Sequence, residues 1–549
     1  FISQGIPAEN ILLLTFTNKA AQSMLFRITG AKPTGGTFHS FCARILRKYH
    51  AAADLDADFS IFDAADQLDT IKQAMYNLGV DPKAFKSGGI HGAISSAKNE
   101  LLGPHEYANY ARGNFQQIVT RVYLSYQQLL RKYKALDFDD LLFETVKLLQ
   151  KDPDVLEKMQ QQFQYILVDE YQDTNKAQYE LTKLLAKKHH HLTVVGDAAQ
   201  AIYSWRGADY RNMMLLKQDF LDLTILNLEQ NYRSTQNILS AANSVISKNK
   251  NHPILKLWTD KNSGEKITLY EADSEIEEAQ YVVNQLSVNQ SNSYADYAIL
   301  YRTNAQSRIF EEVLLHANIP YILVGGTRFY ERKEIKDLLA YLRILLHPED
   351  EISHKRAEKI GKIRLQKLKL SIINYQLPTL EILDQVLQVT NYLDLYNQDD
   401  EEDLARLENI KELRSVASEF PNLTEFLERI ALTEKESKKT KHFTNGAVTL
   451  MTLHSAKGLE FKHVFLVGLE EGLFPHSRAL LDSSEMEEER RLCYVGITRA
   501  MDKLYLSYAR RRLYFGQRNS NMVSRFLSEI PEHLLEYNSS NHYDASFAI

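Results

Sequence analysis

Residues 166–174 read ILVDEYQDT, an apolar run that ends in two adjacent carboxylates, Asp169 and Glu170. A short apolar run bounded by polar residues predicts a buried β-strand, here over 165–168. Open parallel sheets bind their ligands beyond the carboxyl ends of the strands, which is where this pair would lie. Two carboxylates there suit a nucleotide–magnesium site, one acid holding Mg²⁺ through water and the other accepting a proton from attacking water. The first turn of a helix would equally explain the pair, so the residues alone leave both interpretations open.

The same pattern of an apolar run followed by polar residues recurs along the chain. It alternates with amphipathic stretches, and this rhythm predicts an α/β fold with two parallel-sheet domains. Two mostly helical stretches, 51–135 and 348–443, interrupt the pattern and predict helical insertions. The other predicted strands cover 11–16, 192–195, 267–270, 297–301, 448–453, 464–467 and 504–507.

Length and composition exclude several classes of protein. A chain of 549 residues is long enough for three or four domains, and 44% hydrophobic with 25% charged residues is typical of a globular protein. The 65 basic and 71 acidic residues give a net charge of −6, so any nucleic-acid binding must come from local patches. No apolar run approaches the ~20 residues of a spanning helix, so no membrane partner is expected. Two cysteines, Cys42 and Cys493, are too few for a disulfide framework and favour a reducing, cytoplasmic location.

Residues 195–207 read VGDAAQAIYSWRG and form a second candidate site. Gln200 follows a predicted strand and could contact the terminal phosphate of a nucleotide. Tyr203, Trp205 and Arg206 could form a stacking surface for bases. A packed aromatic core beside a turn is the alternative, and for an isolated tryptophan it is the more common outcome.

Two arginines lie in polar contexts, Arg233 within LEQNYRST (228–235) and Arg499 within YVGITRA (494–500). Arginine suits the neutralisation of charge on a transferring phosphoryl group. Taken singly, each would more often be a surface ion pair or a helix end.

In their order along the chain, these motifs resemble the superfamily 1 DNA helicases of the UvrD/Rep/PcrA type, most closely the bacterial PcrA branch. The resemblance covers nearly the whole chain, and collinear matches of this extent exclude chance. The matching segments are TFTNKAAQSM (15–24), GTFHSFCARILR (36–47), DFDDLL (137–142), DEYQDTN (169–175), LEQNYRST (228–235), AILYRTNAQSR (298–308), VGGTRFYERKEIKD (324–337), TLHSAKGLEF (452–461), EEGLFPHSR (470–478) and EEERRLCYVGITRA (487–500).

The resemblance implies an ATP site with Mg²⁺ and a site for one DNA strand. On the ATP side it assigns Asp169 to Mg²⁺ through water, Glu170 to the general base, Gln200, Arg233 and Arg499 to the γ-phosphate, Tyr232 to adenine and Glu460 to the ribose. On the DNA side it assigns base stacking to Phe16, Tyr203, Trp205 and Phe515, and strand holding or coupling to Thr37, His39, Arg206, Asn304 and His454.

The resemblance also implies an architecture and an activity. Two RecA-like motor domains of the P-loop NTPase type, each with a helical insertion, would form an ATP-dependent 3′–5′ helicase acting in DNA repair or replication restart. Its partners would be single-stranded DNA and single/double-strand junctions, and it would be a monomer or weak dimer. The expected bounds are 1–50 and 136–226 for the first motor domain, 51–135 for its insertion, 227–347 and 446–549 for the second, and 348–445 for its shortened insertion.

One departure from the family concerns the phosphate-binding loop, G-x-x-x-x-G-K-[ST]. The Gly-Lys pair of this chain is Gly361-Lys362, in the second insertion and followed by Ile363. The expectation is therefore that the chain is an N-terminally truncated fragment of an active parent and does not hydrolyse ATP by itself. A catalytically silent module that binds single-stranded DNA is the alternative.

Two smaller departures affect Gln200 and the second insertion. Ala199 and Ala201 stand where the family usually has an acidic residue and a serine, which predicts weaker polar support for Gln200. The Gly-Ile-Gly element of the family's insertion is not evident. Residues 357–364, AEKIGKIR, could replace it as a contact to duplex DNA, and a solvated basic helix face is the alternative.

Overall fold

The computed structural model describes residues 1–288, 293–371, 373–374, 376–398, 400–437, 446–514 and 517–539. The chain forms two compact units, Phe1–Leu226 and Asn227–Ile549. Among the helices of the described ranges, none is both long and apolar enough to cross a membrane.

The first unit contains a four-stranded parallel sheet in the order β2-β1-β5-β6. The central strand β1 is buried at every position, as its sequence ILLLT requires. The strands are β1 (Ile11–Thr15), β2 (Thr34–Thr37), β3 (Ser60–Ile61), β4 (Ala135–Leu136), β5 (Tyr165–Val168) and β6 (Leu192–Val194), and the helices are α1 (Asn18–Arg27), α2 (Phe38–Lys48), α3 (Ala64–Asn77), α4 (Ser87–Asn99), α5 (Pro104–Tyr110), α6 (Asn114–Lys132), α7 (Phe138–Lys151), α8 (Pro153–Gln162), α9 (Lys176–Ala186) and α10 (Arg211–Asp219).

Helices α3–α6 form a bundle inserted between α2 and α7, and they have an apolar core of their own. Ile71, Ile90, Val119 and Tyr123 are fully buried in it. The strands β3 and β4, at the two ends of the insertion, pair in parallel and bring its entry and exit together.

A buried charged cluster joins this bundle to α7. Lys98 on α4 lies 2.6 Å from Asp137 Oδ2 and 2.7 Å from Asp140 Oδ1, and all three side chains are buried. The hydroxyl of Tyr126 on α6 donates to the same Asp137 oxygen at 2.8 Å. Asp137 and Asp140 also form the capping box of α7. Burial and the charge of Asp137 raise the pKa of Asp140 to about 7.

The second unit contains a larger sheet in the order β14-β7-β12-β11-β8-β10-β9, parallel throughout, with β13 as an antiparallel hairpin partner of β12. The strands are β7 (Ile267–Ser274), β8 (Tyr297–Tyr301), β9 (Tyr321–Val324), β10 (Val448–Thr452), β11 (Phe461–Leu466), β12 (Ala500–Tyr514), β13 (Gln517–Asn519) and β14 (Leu535–Ser539). The helices are α11 (Gln236–Ile246), α12 (Glu275–Val288), α13 (Ser307–His316), α14 (Lys333–Leu346), α15 (Glu351–Ile360), α16 (Lys362–Leu370), α17 (Thr379–Thr390), α18 (Glu401–Ser418), α19 (Leu423–Ser437), α20 (Ser483–Ile497) and α21 (Arg525–Ser528).

Helices α15–α19 pack on α14 around one apolar core that begins at Phe329 and includes Leu338, Ile382, Leu413 and Phe426. The second helical bundle therefore shares its core with the helix that leads into it. The subdomain bounds expected from the sequence stay predictions.

The predicted α/β class with two parallel sheets is confirmed. The sequence prediction missed the short strands β3, β4 and β13, and it also missed β2, β9 and β14. Strand β2 reads TGGT and offers no apolar residue, while β14 reads LEYNS and lies at the edge of its sheet. Strand β9 has the same sequence as the predicted β5, YILV, but it lies at the edge of its sheet, where only Tyr321 is buried.

We expect Lys98→Met to lower the free energy of unfolding of the first unit by about 3–5 kcal/mol, because it leaves Asp137 and Asp140 buried without their cation. Urea unfolding measures the change. The matched control is Lys72→Met, which removes an exposed ion pair with Asp69 and should cost less than about 1 kcal/mol. Equal costs for the two variants would contradict a role for Lys98 in neutralising the cluster.

Candidate functional site

Four loops meet at the carboxyl edge of the first sheet. Because the strands are parallel and in register, Phe16 after β1, Thr37 at the end of β2, Asp169 after β5 and Asp197 after β6 lie along one edge. The Asp169 N–H donates to Leu14 O at 3.0 Å, which continues the pairing one residue beyond the strand. The structure therefore brings together residues that the sequence assigned to both nucleotide and DNA.

The carboxylate of Glu170 is held by a neighbouring amide. Glu170 takes a left-handed backbone conformation with φ 54°, which is uncommon for a residue with a side chain. The Gln172 Nε2 donates to Glu170 Oε2 at 2.6 Å. Gln172 itself is fully buried, and the sequence analysis assigned it no role although it lies in the DEYQDTN motif.

Gln172 also reaches the loop after β6. Its Oε1 accepts from the Asp197 N–H at 3.0 Å. A Cβ atom at Gly196 would lie 2.7 Å from that Oε1, so only glycine allows the two loops to approach this closely. Because the two loops lie this close, the side chain of Gln172 can form hydrogen bonds with both of them.

Asp197 completes the connection to Gln200. Its carboxylate accepts from the Ala199 N–H at 2.9 Å and from Gln200 Nε2 at 2.9 Å. Ala199 and Ala201 are buried, so the polar support that they cannot offer Gln200 comes from Asp197. Glu170, Gln172, Asp197 and Gln200 thus form one hydrogen-bonded set, named here the relay.

An exposed aromatic turn follows the relay. Trp205 is 43% exposed. The guanidinium of Arg206 lies 4.5 Å from the Trp205 ring centroid and 5.6 Å from that of Tyr203, in cation–π contact with both. Gly207, with φ 80°, ends the turn against Asn99 of α4. The three side chains together offer two aromatic rings and one positive charge, which suits stacked bases.

The other predicted DNA residues of this unit have partners within the protein. The Phe16 ring packs 5.7 Å from Phe38. Thr37 caps α2, its Oγ1 accepting from the Ser40 N–H at 3.2 Å. The ring of His39 lies 5.9 Å from Phe138, and burial lowers its pKa, which keeps the imidazole neutral at pH 7.

In the second unit, the residues assigned to ATP gather at the amino edge of the sheet. Glu460 directly precedes β11 and Arg499 directly precedes β12. Arg233 Nε donates to Glu460 Oε2 at 2.6 Å, and Arg233 Nη1 donates to Thr498 O at 3.4 Å. Tyr232 is 77% exposed, its hydroxyl donating to Gln230 Oε1 at 2.9 Å.

Arg499 differs from Arg233 in being almost fully buried, at 2% exposure. Its guanidinium donates to Val495 O, Leu459 O and Thr498 Oγ1 at 2.9–3.1 Å. In this arrangement Arg499 holds the backbone beside Glu460 and Arg233, and its side chain does not reach the surface.

The residues assigned to DNA in this unit lie at the opposite, carboxyl edge of the sheet. Asn304 follows β8, and its Oδ1 lies 3.7 Å from the position of a Cβ at Gly326, after β9. His454 follows β10. Ser455, the next residue, packs on Gly325, where a Cβ would lie 2.6 Å from its Oγ. Phe515 lies outside the described residues.

Family profiles of known proteins match both units of the chain. The family profile for the UvrD/REP helicase N-terminal domain matches residues 1–221, and that for the UvrD-like helicase C-terminal domain matches 226–398 and 361–511. The ATP-dependent DNA helicase PcrA of Bacillus subtilis is 44% identical over 96% of this chain and 80% of its own length. PcrA of Staphylococcus aureus strain Mu50 is 44% identical over 98% of this chain and 82% of its own.

A solved structure described as the C-terminal domain of a possible DNA helicase from Lactobacillus has a TM-score of 0.26 and 13% identity, over 56% of this chain and 99% of that one, too low to bear on the fold. The two family profiles and the relatives' identity confirm the resemblance found in the motifs. The chain therefore belongs to the UvrD/Rep family of helicases.

Proposed function

We propose that this protein is an ATP-dependent DNA helicase that translocates along single-stranded DNA. The observation that carries the proposal is the relay, because it joins the proposed general base, Glu170, to Gln200, the proposed contact of the γ-phosphate. The relatives at 44% identity are ATP-dependent DNA helicases by name, which supports the same activity here.

The relay explains how the chain would prepare a water molecule for attack. Gln172 fixes one oxygen of the Glu170 carboxylate, so the group is oriented before the water binds. Glu170 would take the proton of that water, and the amide of Gln200 would contact the phosphoryl group. Because Asp197 holds Gln200 and binds Gln172, a shift of Gln200 would reach Glu170 through hydrogen bonds.

Asp169 is the proposed Mg²⁺ residue, and the local chemistry fits that role. Mg²⁺ in such sites takes one or two protein carboxylates, with water and substrate phosphates completing its shell. Asp169 lies directly after β5 at the carboxyl edge of the sheet, beside Glu170. When bound, Mg²⁺ would neutralise charge on the phosphates.

Among the two arginines, we propose Arg233 as the one that meets phosphate. Its side chain is partly exposed and held by the half-exposed Glu460, an ion pair that a phosphate can displace. Arg499 would have no contact with the phosphate. It would position the backbone of residues 459–460 through its hydrogen bond to Leu459 O. Tyr232, being exposed, can stack on an adenine ring.

For DNA we propose that Tyr203, Trp205 and Arg206 stack on bases of one strand without sequence preference. Asn304 and His454 would contact DNA at the carboxyl edge of the second sheet. Movement in the 3′–5′ direction and a role in DNA repair or replication restart complete the proposal, on the basis of the family resemblance.

A duplex contact at single/double-strand junctions is proposed for the α15–Gly361–α16 corner. Gly361 has φ 156° and joins the two helices directly. Lys359 and Lys362 flank it and are exposed, while Arg364 turns inward, its Nε buried. The two lysines are therefore the proposed contacts to duplex phosphates, and Arg364 is not included.

The second candidate function is a silent module that occupies single-stranded DNA. The aromatic turn favours it, because Tyr203, Trp205 and Arg206 can stack on bases without ATP turnover. On the leading proposal the protein hydrolyses ATP when it binds DNA, whereas the silent module binds single-stranded DNA without measurable turnover.

We expect Glu170→Gln to lower DNA-stimulated ATP hydrolysis by the natively produced polypeptide at least about 100-fold, because the variant cannot accept the proton of water. Phosphate release measures turnover, and unchanged affinity for single-stranded DNA serves as the folding control. If the native polypeptide binds DNA but shows no turnover, the silent module is the correct function.

We expect Trp205→Ala to weaken binding of single-stranded DNA by about 1–3 kcal/mol, because one stacking platform is lost. Fluorescence anisotropy with a labelled oligonucleotide measures the change. Trp258→Ala is the matched control, since Trp258 is the other tryptophan, is 45% exposed, and lies beside Gln230 in the second unit. A similar loss in both variants would argue against stacking at Trp205.

We expect the double variant Lys359→Ala/Lys362→Ala to bind junction DNA less tightly and to reduce the salt slope of that binding by about 2, because two phosphate contacts are lost. Affinity for single-stranded DNA should stay unchanged. Lys187→Ala/Lys188→Ala is the control. These exposed lysines precede β6, at the amino edge of the first sheet, and the proposed function assigns them no contact with DNA. Equal losses on junction and single strand would refute the duplex contact.

A further inference from the structure

The first helical insertion meets two loops of the first sheet at the end of α4. Asn99 is the last residue of α4 and is half-buried. Beside it, Glu100 Oε2 lies 3.4 Å from Lys176 Nζ on α9. Neither the proposed ATP contacts nor the proposed DNA contacts include Asn99. The end of α4 is nevertheless a junction between the inserted bundle and the loops that carry the proposed site.

Asn99 accepts a hydrogen bond from the end of the DEYQDTN loop. Asn175 caps α9, and its Oδ1 accepts from the Gln178 N–H at 2.9 Å. Since that oxygen faces the helix, the amide nitrogen of Asn175 faces Asn99, and its Nδ2 donates to Asn99 Oδ1 at 2.6 Å. The cap of α9 therefore sets the direction of this hydrogen bond.

The nitrogen of the Asn99 amide is anchored on α7. It donates to the carboxylate of Asp139, which lies beside the buried charged cluster of α4 and α7. Burial and the charge of Asp137 raise the pKa of Asp139 to about 6, and the hydrogen bonds from Ser95 and Asn99 oppose that shift. At pH 7 the carboxylate is largely ionised and accepts strongly. The Asn99 amide is thus fixed between a carboxylate and a helix cap, and it cannot rotate without loss of one of these bonds.

The aromatic turn lies against the same asparagine. Gly207 ends the turn with φ 80°, and a Cβ atom there would lie 3.6 Å from Asn99 Cβ and 3.7 Å from its Cγ. The chain then returns to the DEYQDTN loop, where the Asp209 N–H donates to Thr174 O at 3.0 Å. Asn99 therefore lies against both loops, close to the point where they join.

We propose that Asn99 is a positioning residue, which holds the aromatic turn and the DEYQDTN loop at a fixed separation. The inference rests on the proposed function, in which the turn stacks on DNA bases and the loop carries Glu170. A residue of the inserted bundle thereby sets how the DNA surface is placed relative to the relay. Loss of its side chain leaves the turn without this support beside Gly207 and leaves Asn175 Nδ2 without this acceptor.

The fluorescence of Trp205 tests the support of the turn in the absence of DNA. The chain has two tryptophans, so Trp205 is the single tryptophan in the Trp258→Phe background. In that background we expect Asn99→Ala to increase the acrylamide quenching constant of Trp205 about twofold, because a turn with fewer contacts opens more often. Circular dichroism checks that the variant is folded. A loss of global stability alone would leave the quenching of the folded protein unchanged.

The binding of single-stranded DNA gives the second readout. We expect Asn99→Ala to weaken the binding of a labelled oligothymidylate about three- to tenfold, the effect of one lost hydrogen bond. Asn175→Asp should have the same effect, because aspartate still caps α9 but cannot donate to Asn99. Since the two residues act through one bond, the double variant should bind no more weakly than either single variant.

Asn77→Ala is the matched control. Asn77 ends α3 as Asn99 ends α4, and its Oδ1 accepts from Gln73 Nε2 on the same helix at 2.8 Å. This variant should keep the quenching constant and the DNA affinity of the wild type.

Three outcomes would each overturn the proposal: unchanged quenching in Asn99→Ala, an equal increase in Asn77→Ala, or additive losses of DNA affinity in the double variant. Failure of the wild type to bind single-stranded DNA would instead contradict the proposed function. Because the quenching is measured without DNA, it would still decide the role of Asn99.

Discussion

The parallel register of β1, β5 and β6 is the constraint on which the site of the first unit depends. Val168 pairs with Leu14 on one side and with Val194 on the other, so the loops after all three strands begin at the same height. Backbone hydrogen bonds from Asp169 and Tyr171 extend the pairing past the strand ends. The register of the strands places the backbone of Asp169 and Glu170 at this edge of the sheet. A short hydrogen bond, such as that from Gln172 to Glu170, is then enough to orient the side chain.

The second unit uses both edges of its sheet. Residues placed before β11 and β12 collect at the amino edge, where Arg233 and Glu460 pair, and residues placed after β8 and β10 collect at the carboxyl edge. The sheet thus separates the two groups of residues by the length of its strands. A strand of five or six residues spans roughly 17–20 Å, so the two groups lie about that far apart while sharing one core.

Much of this organisation was predictable from the sequence, and what was missed has physical reasons. Runs such as ILLLT in β1 and YAILY in β8 predict buried strands because apolar side chains tolerate burial on both faces. The bridging role of Gln172 was not predictable, since it depends on how closely Gly196 approaches in space. The burial of Arg499 was not predictable either, since its partners are two backbone oxygens and the Thr498 hydroxyl, which no residue pattern reveals. Strand β2 was not predicted, because its sequence TGGT has no apolar residue. It joins the sheet through its backbone hydrogen bonds to β1.

The contact between Gly196 and Gln172 has a mechanical consequence. Protein interiors are close-packed, and the space beside Gly196 is filled by Gln172 and Met213, whose Oε1 and Sδ would lie 2.7 and 3.1 Å from a Cβ atom there. A displacement of the backbone after β6 would therefore press on the buried Gln172 amide, whose position is fixed by its bonds to Glu170 and Asp197. A side chain at residue 196 would have to displace that amide, so the lack of a Cβ atom at Gly196 keeps the two loops in direct contact.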